Sequence, residues 1–404
     1  MPSKLLLYAW YGVLILLVIS GIYYLHAYYY EYEAWETKDI IPWGLLVPSY
    51  VYFALASTGS SIINSLYTVF GYKGPNEGFE KIIKHGVWFS LITIIPAWTM
   101  IILDLGRPDH FLSMLTSFNI VSRIAWMGVL YSFFFLMLLI ELVYFIRSEV
   151  NEKLKHWKAL ELAIAILVLF ATIAVHSNLG EVFGSSTGVP AWYGPHVGAY
   201  FIASAVLIGS AWQLFFVSIV YKAKGGLSEN LKEFFVKVYN KIFIIGIPVL
   251  AFFVIWNLIV AYYYPPAWEA YKHLLYGEFS KEFIIVEVII GLIVTFIVAV
   301  YSYIKKNFLL TFINSIILII VGYISKFDFI ISGEIARLSF NYGGLTNNLN
   351  PYYVRFWPFD YDIGLPEKMM LVLAVSIWLI LLTLGEQILP LERGEKPKKL
   401  FVFK

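Results

Sequence analysis

Three stretches of the chain gather residue types that can move protons or hold a carbonyl-bearing ligand. The first is Asp104-Leu105-Gly106-Arg107-Pro108-Asp109. Asp104 and Arg107 stand at i and i+3, so a helix would bring them onto one face. Gly106 suits a helix end, and Pro108 cannot continue one. A carboxylate-held guanidinium at a membrane edge could face an anion or a carbonyl. The spacing equally fits a capped helix end with a surface ion pair. The second stretch is His176-Ser177-Asn178-Leu179-Gly180-Glu181, where an imidazole could exchange protons near neutral pH and Glu181 could pass them to water. An interfacial histidine satisfied by a backbone carbonyl would look the same. The third is Trp43-Gly44 and Val47-Pro48-Ser49-Tyr50, followed by Ser57, Thr58, Gly59, Ser60, Ser61 and Asn64. Small and hydroxylated residues let helices approach closely in lipid, and they could also line a proton path with water.

The elements that must position these groups are apolar. Of 404 residues, 60% are hydrophobic and only 14% charged, against about 25% charged in soluble domains. Lipid must therefore solvate much of the chain. Ten runs approach the roughly 20 apolar residues that span a bilayer: 5–26, 43–70, 85–103, 122–146, 159–176, 196–221, 241–263, 283–304, 307–326 and 367–390. The first run reads as a retained helix rather than a cleaved leader. The expected fold is an all-α polytopic membrane protein.

About two thirds of the 29 Lys and Arg fall in the termini and in the loops after helices 2, 4, 6 and 8. The positive-inside rule then puts both termini in the cytoplasm and the chain in the inner cell membrane. The opposite connections, near 27–42, 104–121, 177–194, 264–282 and 327–366, hold the polar and aromatic residues and face outward. A net charge of +2 offers no nucleic-acid footprint. With no cysteine, the chain itself supplies no thiolate for an iron–sulfur cluster. His85 and His176 fall at opposite ends of their spans, which does not suit a pair of haem ligands. Glu141, Glu161 and Glu386 lie near inner helix ends where they could snorkel, and Glu287 near an outer one.

Asp104-Leu105-Gly106-Arg107-Pro108, with Ser122 and Trp126 beyond it, resembles the signature of the NrfD/polysulfide-reductase membrane subunit family. Pro42-Trp43-Gly44, Val182-Phe183-Gly184, Pro190, Trp192, Phe201, Ser204-Ala205 and Gly209 fit the same pattern. Ten spans resemble the branch that contains the HybB-type hydrogenase subunit. The resemblance implies a single integral membrane unit over 1–404, with two four-helix bundles, the first at 43–176 and the second at 196–326. Helix 1 (5–26) and helix 10 (367–390) would flank them. An outer loop at 327–366, with Phe327, Asp328, Glu334, Arg337, Asn341 and Trp357, would dock a partner, and a cytoplasmic tail would run over 391–404. It further implies a quinone or quinol, menaquinone-like or other, bound near the outer surface without haem. The expected catalytic groups are His176, Asp104 and Glu181, and the expected quinone-binding groups are Tyr50, Arg107, His176, Trp43 and Trp192. Electrons would pass to or from an iron–sulfur subunit on the outer face, wired to a molybdopterin or nickel–iron catalytic subunit. Composition alone leaves open a secondary transporter or a purely structural membrane anchor.

Overall fold

The computed structural model describes residues 4–30, 43–105, 108–343 and 363–392. Among them lie ten helices long and apolar enough to cross a membrane. They are α1 (Lys4–Tyr30), α2 (Leu46–Thr68), α3 (Gly78–Asp104), α4 (Arg123–Ser148) and α5 (Lys158–Gly184). Then come α6 (Val197–Lys224), α7 (Glu229–Tyr263), α8 (Glu282–Lys305), α9 (Phe308–Gly343) and α10 (Leu365–Ile388). The described residues contain no strand, so the fold is all-α and polytopic. In lipid this is required, because a helix satisfies its backbone polar groups within one segment.

Helices α2–α5 pack as one group and α6–α9 as another. The two groups meet along α2 and α6, and α6 also touches α5. The α2–α6 seam is made of small residues. A Cβ built on Gly59 would stand 1.8 Å from the Ala205 carbonyl oxygen, and one on Gly209 would stand 2.2 Å from the Gly59 carbonyl carbon. Backbones therefore touch there, with no room for a side chain on either side. One turn further along, the Gln213 amide donates to Asn64 Oδ1 at 2.6 Å, and Tyr239 of α7 donates to Gln213 Oε1 at 3.0 Å. Gly86 of α3 makes room for that pair.

Helix α10 lies on α3, and α1 lies on α10. Trp378 donates to Thr93 Oγ1 at 3.1 Å, and Trp10 to Thr383 Oγ1 at 3.3 Å. At the rim where α3 begins, buried Lys84 donates to the Pro390 carbonyl at 2.7 Å and pairs with Glu149 at 3.1 Å. His85 Nδ1 meets Glu386 at 2.8 Å, and Lys224 meets its other oxygen at 3.0 Å. Glu386 thus clamps three helices instead of snorkelling. Glu141 does not snorkel either, since it is buried and its Oε2 has no hydrogen bond.

Several boundaries differ from the sequence reading. Helix α5 runs eight residues past 176, to Gly184. Helix α9 continues through the expected outer loop to Gly343, which puts Asp328 and Glu334 on a helix. The connection at 264–282 contains a helix of its own, Pro265–Leu275. In α5 and α9 the apolar run ends before the helix does. Packing carries the backbone on through polar residues.

Candidate functional site

The expected site residues do not gather at one level of the rim where α2 begins and α3 and α5 end. They separate into three layers. Outermost are Trp43, Trp192 and Asp104. The Trp43 and Trp192 rings stack with centroids 5.4 Å apart and planes 9° apart, and Phe183 packs edge-on to both, at 5.8 and 5.1 Å. Trp192 also donates to the Phe329 carbonyl at 2.9 Å, and its indole sits where a Cβ on Gly333 would be. The expected quinone-facing indoles thus spend their faces on each other and tie α2, α5 and α9 together. The Trp43 backbone N–H reaches Glu334 Oε2 at 3.3 Å. Asp104 is the last residue of α3 and faces the buried carboxylate of Glu367, which accepts the Gly364 N–H at 3.1 Å to cap α10. Arg107 lies outside the described residues.

The middle layer is the interior of α2–α5. Tyr50 of α2 is buried and its ring tilts toward Tyr131 of α4, with centroids 6.3 Å apart. The Tyr131 hydroxyl is buried and interacts with the Tyr50 phenol. Tyr131 was not singled out in the sequence. The available signal was its phenol in the run Val129–Leu139 of α4, which is apolar apart from Tyr131 and Ser132.

The innermost layer holds His176. Because α5 continues to Gly184, the imidazole is fully buried and not at the rim. Its Nε2 lies 2.8 Å from Thr58 Oγ1, which also donates to the Ala54 carbonyl at 2.9 Å. One turn deeper, Ser61 and Thr172 meet at 3.1 Å. Thr58 stands eight residues beyond Tyr50 on α2, about 12 Å along the axis. The Ser57–Asn64 stretch is thus chiefly a packing seam, with Ser57 and Ser60 bonded to the Ser90 and Gly86 carbonyls of α3. Glu181 is half-buried near the start of α6, beside Gly198. Asn178 is used structurally, donating to the Arg123 carbonyl at 3.0 Å where α4 begins. That start is capped by Ser122, which accepts the Ala125 N–H at 3.2 Å.

A quinone head needs hydrogen-bonding groups for its two oxygens and a route for protons. The Tyr50–Tyr131 pair offers two buried phenols, and the Asp104–Glu367 pair offers carboxyl groups between it and the rim. These residues fit such a ligand. The described residues hold no group of three or more His, Cys, Asp or Glu that could bind a metal.

The chain resembles several proteins whose roles are named. It is 30% identical over 216 residues to a Halobacterium salinarum protein named as the membrane subunit of a dimethyl sulfoxide reductase, covering 50% of this chain and 48% of that one. It is 23% identical to a subunit of the selenate reductase of Mesobacillus selenatarsenatis, covering 47% and 51%. It is 28% identical to the Hdr-like menaquinol oxidoreductase integral membrane subunit of Archaeoglobus fulgidus, covering 42% and 40%. The matches thus span about half the length of these relatives or less. The family model "Polysulphide reductase, NrfD" matches residues 33–336, most of the chain, including both helix groups and the Asp104 motif. With its ten apolar helices, this chain therefore belongs to the NrfD polysulphide reductase family of membrane proteins.

Proposed function

We propose that the chain is the quinone-reactive membrane subunit of an oxidoreductase complex, passing two electrons between an iron–sulfur partner and a membrane quinone. The observation that carries this reading is the buried Tyr50–Tyr131 phenol pair inside α2–α5. The relatives named as reductase and menaquinol oxidoreductase membrane subunits support it. They favour a molybdopterin-type catalytic partner over a nickel–iron one. The loop charges favour an outward-facing rim, with both termini in the cytoplasm of an inner-membrane protein.

Bound quinol supplies two electrons and two protons on oxidation. Tyr131 and Tyr50 orient its oxygens. Asp104 and Glu367 take the released protons at the rim, and Arg107 stands three residues from Asp104 in sequence. His176 serves as an internal hydrogen-bonding group on Thr58 behind the phenols. Trp43 and Trp192 close the rim, holding water out of the site.

Tyr131→Phe in the assembled complex should lower quinol-coupled turnover about tenfold, the worth of one hydrogen bond, while turnover with a reducing dye is retained. Asp104→Asn should act in the same direction. Steady-state assays with a soluble menaquinol analogue and with the dye separate the two. Unchanged quinol turnover in both variants would remove the reading. Absence of saturable quinone binding would leave a structural anchor.

A further inference from the structure

A second set of buried ionisable groups lies outside this site, among α6–α9. Glu287 of α8 and Asp328 of α9 come close enough for their carboxyl groups to share a hydrogen bond, and Ser325 lies beside Glu287. Asp328 is 2% exposed, and its Oδ2 has no hydrogen-bond donor among the described residues. An ionised carboxylate only accepts hydrogen bonds. Two of them in contact form one only when a proton sits between them. Two unshared negative charges in lipid would also be costly.

The local structure brings the pair together deliberately. The backbone of α8 is π-helical from Glu282 to Val294, which widens its turns around Glu287, a form found often at functional sites. Gly291 lets α8 close onto Val321 of α9, since a Cβ there would stand 2.4 Å from Val321 Cγ1. Lys326, which lies between Ser325 and Asp328 in the chain, is 1% exposed. Its ammonium donates to Tyr200 Oη at 2.8 Å and Ser204 Oγ at 3.1 Å, and its charge acts on Glu287. One ammonium and one carboxylate cancel. The cluster is neutral when the two carboxyl groups hold one proton between them.

A cleft reaches this cluster between α6, α7, α8 and α9, lined by Glu287, Ser325, Lys326 and Ser204 with apolar neighbours such as Leu250 and Val254. It leaves 40 Å³ for the centres of water-sized molecules. That holds about three waters at roughly 10–15 Å³ each and is too small for an organic ligand. The other charged or titratable groups facing the pair are Glu282 at the start of α8, Tyr271 of the Pro265–Leu275 helix and Tyr200 of α6. Burial holds the Tyr271 phenol above its ordinary range, so it stays neutral. The nearby ammonium disfavours a metal cation here and leaves the proton as the natural occupant.

We propose that Glu287 and Asp328 form a proton-exchanging site of the second helix group, filled and emptied through the water-sized cleft beside them. Its carboxyl groups lie on helices other than those of the quinone reading, although the charge of Lys326 also acts on His176.

Dicyclohexylcarbodiimide, an apolar reagent that adds to protonated carboxyl groups, tests this on the full chain in isolated membranes, with the adduct mapped by mass spectrometry. Labelling of Glu287 that declines as pH rises, and is indifferent to sodium, is the expected result. In Asp328→Asn the asparagine amide donates to Glu287 and favours its ionised form. Labelling should then slow about tenfold, the effect of one pKa unit. Glu141, buried elsewhere, should label at an unchanged rate in that variant. No adduct at Glu287 would overturn the assignment, and so would protection by sodium at fixed pH, which would place a cation on the pair. If Asp328→Asn fails to assemble, the pH and sodium responses of the unaltered chain decide.

Discussion

Helices α2 and α7 both cross the membrane, yet they are built on opposite rules. The most apolar stretch of α2 is 94% buried within the protein, and that of α7 is 11% buried. Nevertheless α2 is the least apolar of the ten spans, carrying Ser49, Ser57, Thr58, Ser60, Ser61, Asn64 and Ser65 in its interior. Helix α7 exposes Ile245, Phe252, Ile255 and Ile259. In lipid no hydrophobic force drives helices together. Close backbone contact and side-chain hydrogen bonds do so instead, and the most apolar residues face outward. An interior helix is therefore recognised by its small and polar residues. An apolar helix in this protein is the one that meets lipid.

The comparison breaks most directly at the α2–α6 seam. Gly59→Ala would force a Cβ into the Ala205 carbonyl, where only backbone can move. We expect a loss of about 3 kcal/mol or more, seen as failure to yield monodisperse protein in detergent. Ile255→Ala on the exposed face of α7 serves as its counterpart, with a change within about 0.5 kcal/mol. If the two variants behave alike, the distinction between interior and lipid-facing helices fails.

A smaller effect should come from Gln213→Leu. It would leave Asn64 Oδ1 and the Tyr239 hydroxyl without their partner. At about 1–3 kcal/mol for each buried group left unpaired, thermal unfolding in detergent should shift down clearly, by less than for Gly59→Ala.

The smallest effect lies beyond the end of α7, where His273 Nδ1 pairs with Glu278 at 2.8 Å. The hydrogen bond from His273 holds the Glu278 carboxyl below its ordinary range. Its stabilising contribution is therefore present above the usual carboxylate pKa, roughly 4.3, and is lost as pH falls through the lowered value. The exposed, screened pair is worth about 0.5 kcal/mol or less. His273→Ala should flatten that part of the acid-stability profile, and a drop as large as that of Gln213→Leu would contradict the surface assignment.

Much of the fold was legible in the residues. The ten apolar runs are the ten spans, because a bilayer-crossing helix must be apolar over a set length. The small and hydroxylated residues of α2 announced that a helix would approach it closely, and the structure shows that helix to be α6. The candidate site was legible only in part. Asp104 at the end of α3 and Tyr50 on α2 stand where the motif spacing put them. His176 does not, because apolarity stops at 176 while the helix continues through Ser177, Asn178 and Glu181. That continuation rests on packing: Gly180 meets the backbone of Gly198 so closely that a Cβ would stand 2.4 Å from its Cα.

The sequence by itself determined the solvent of this protein, its helical class, the number of its crossings and the absence of thiols. Those properties follow from composition and run length, which are local. Only the tertiary structure decided that Tyr131 faces Tyr50, that Trp43 and Trp192 stack against each other, and that Glu287 meets Asp328. Each of these pairs joins two different segments of the chain. The rotation of one helix against its neighbour, set by packing, has no signature in either segment alone.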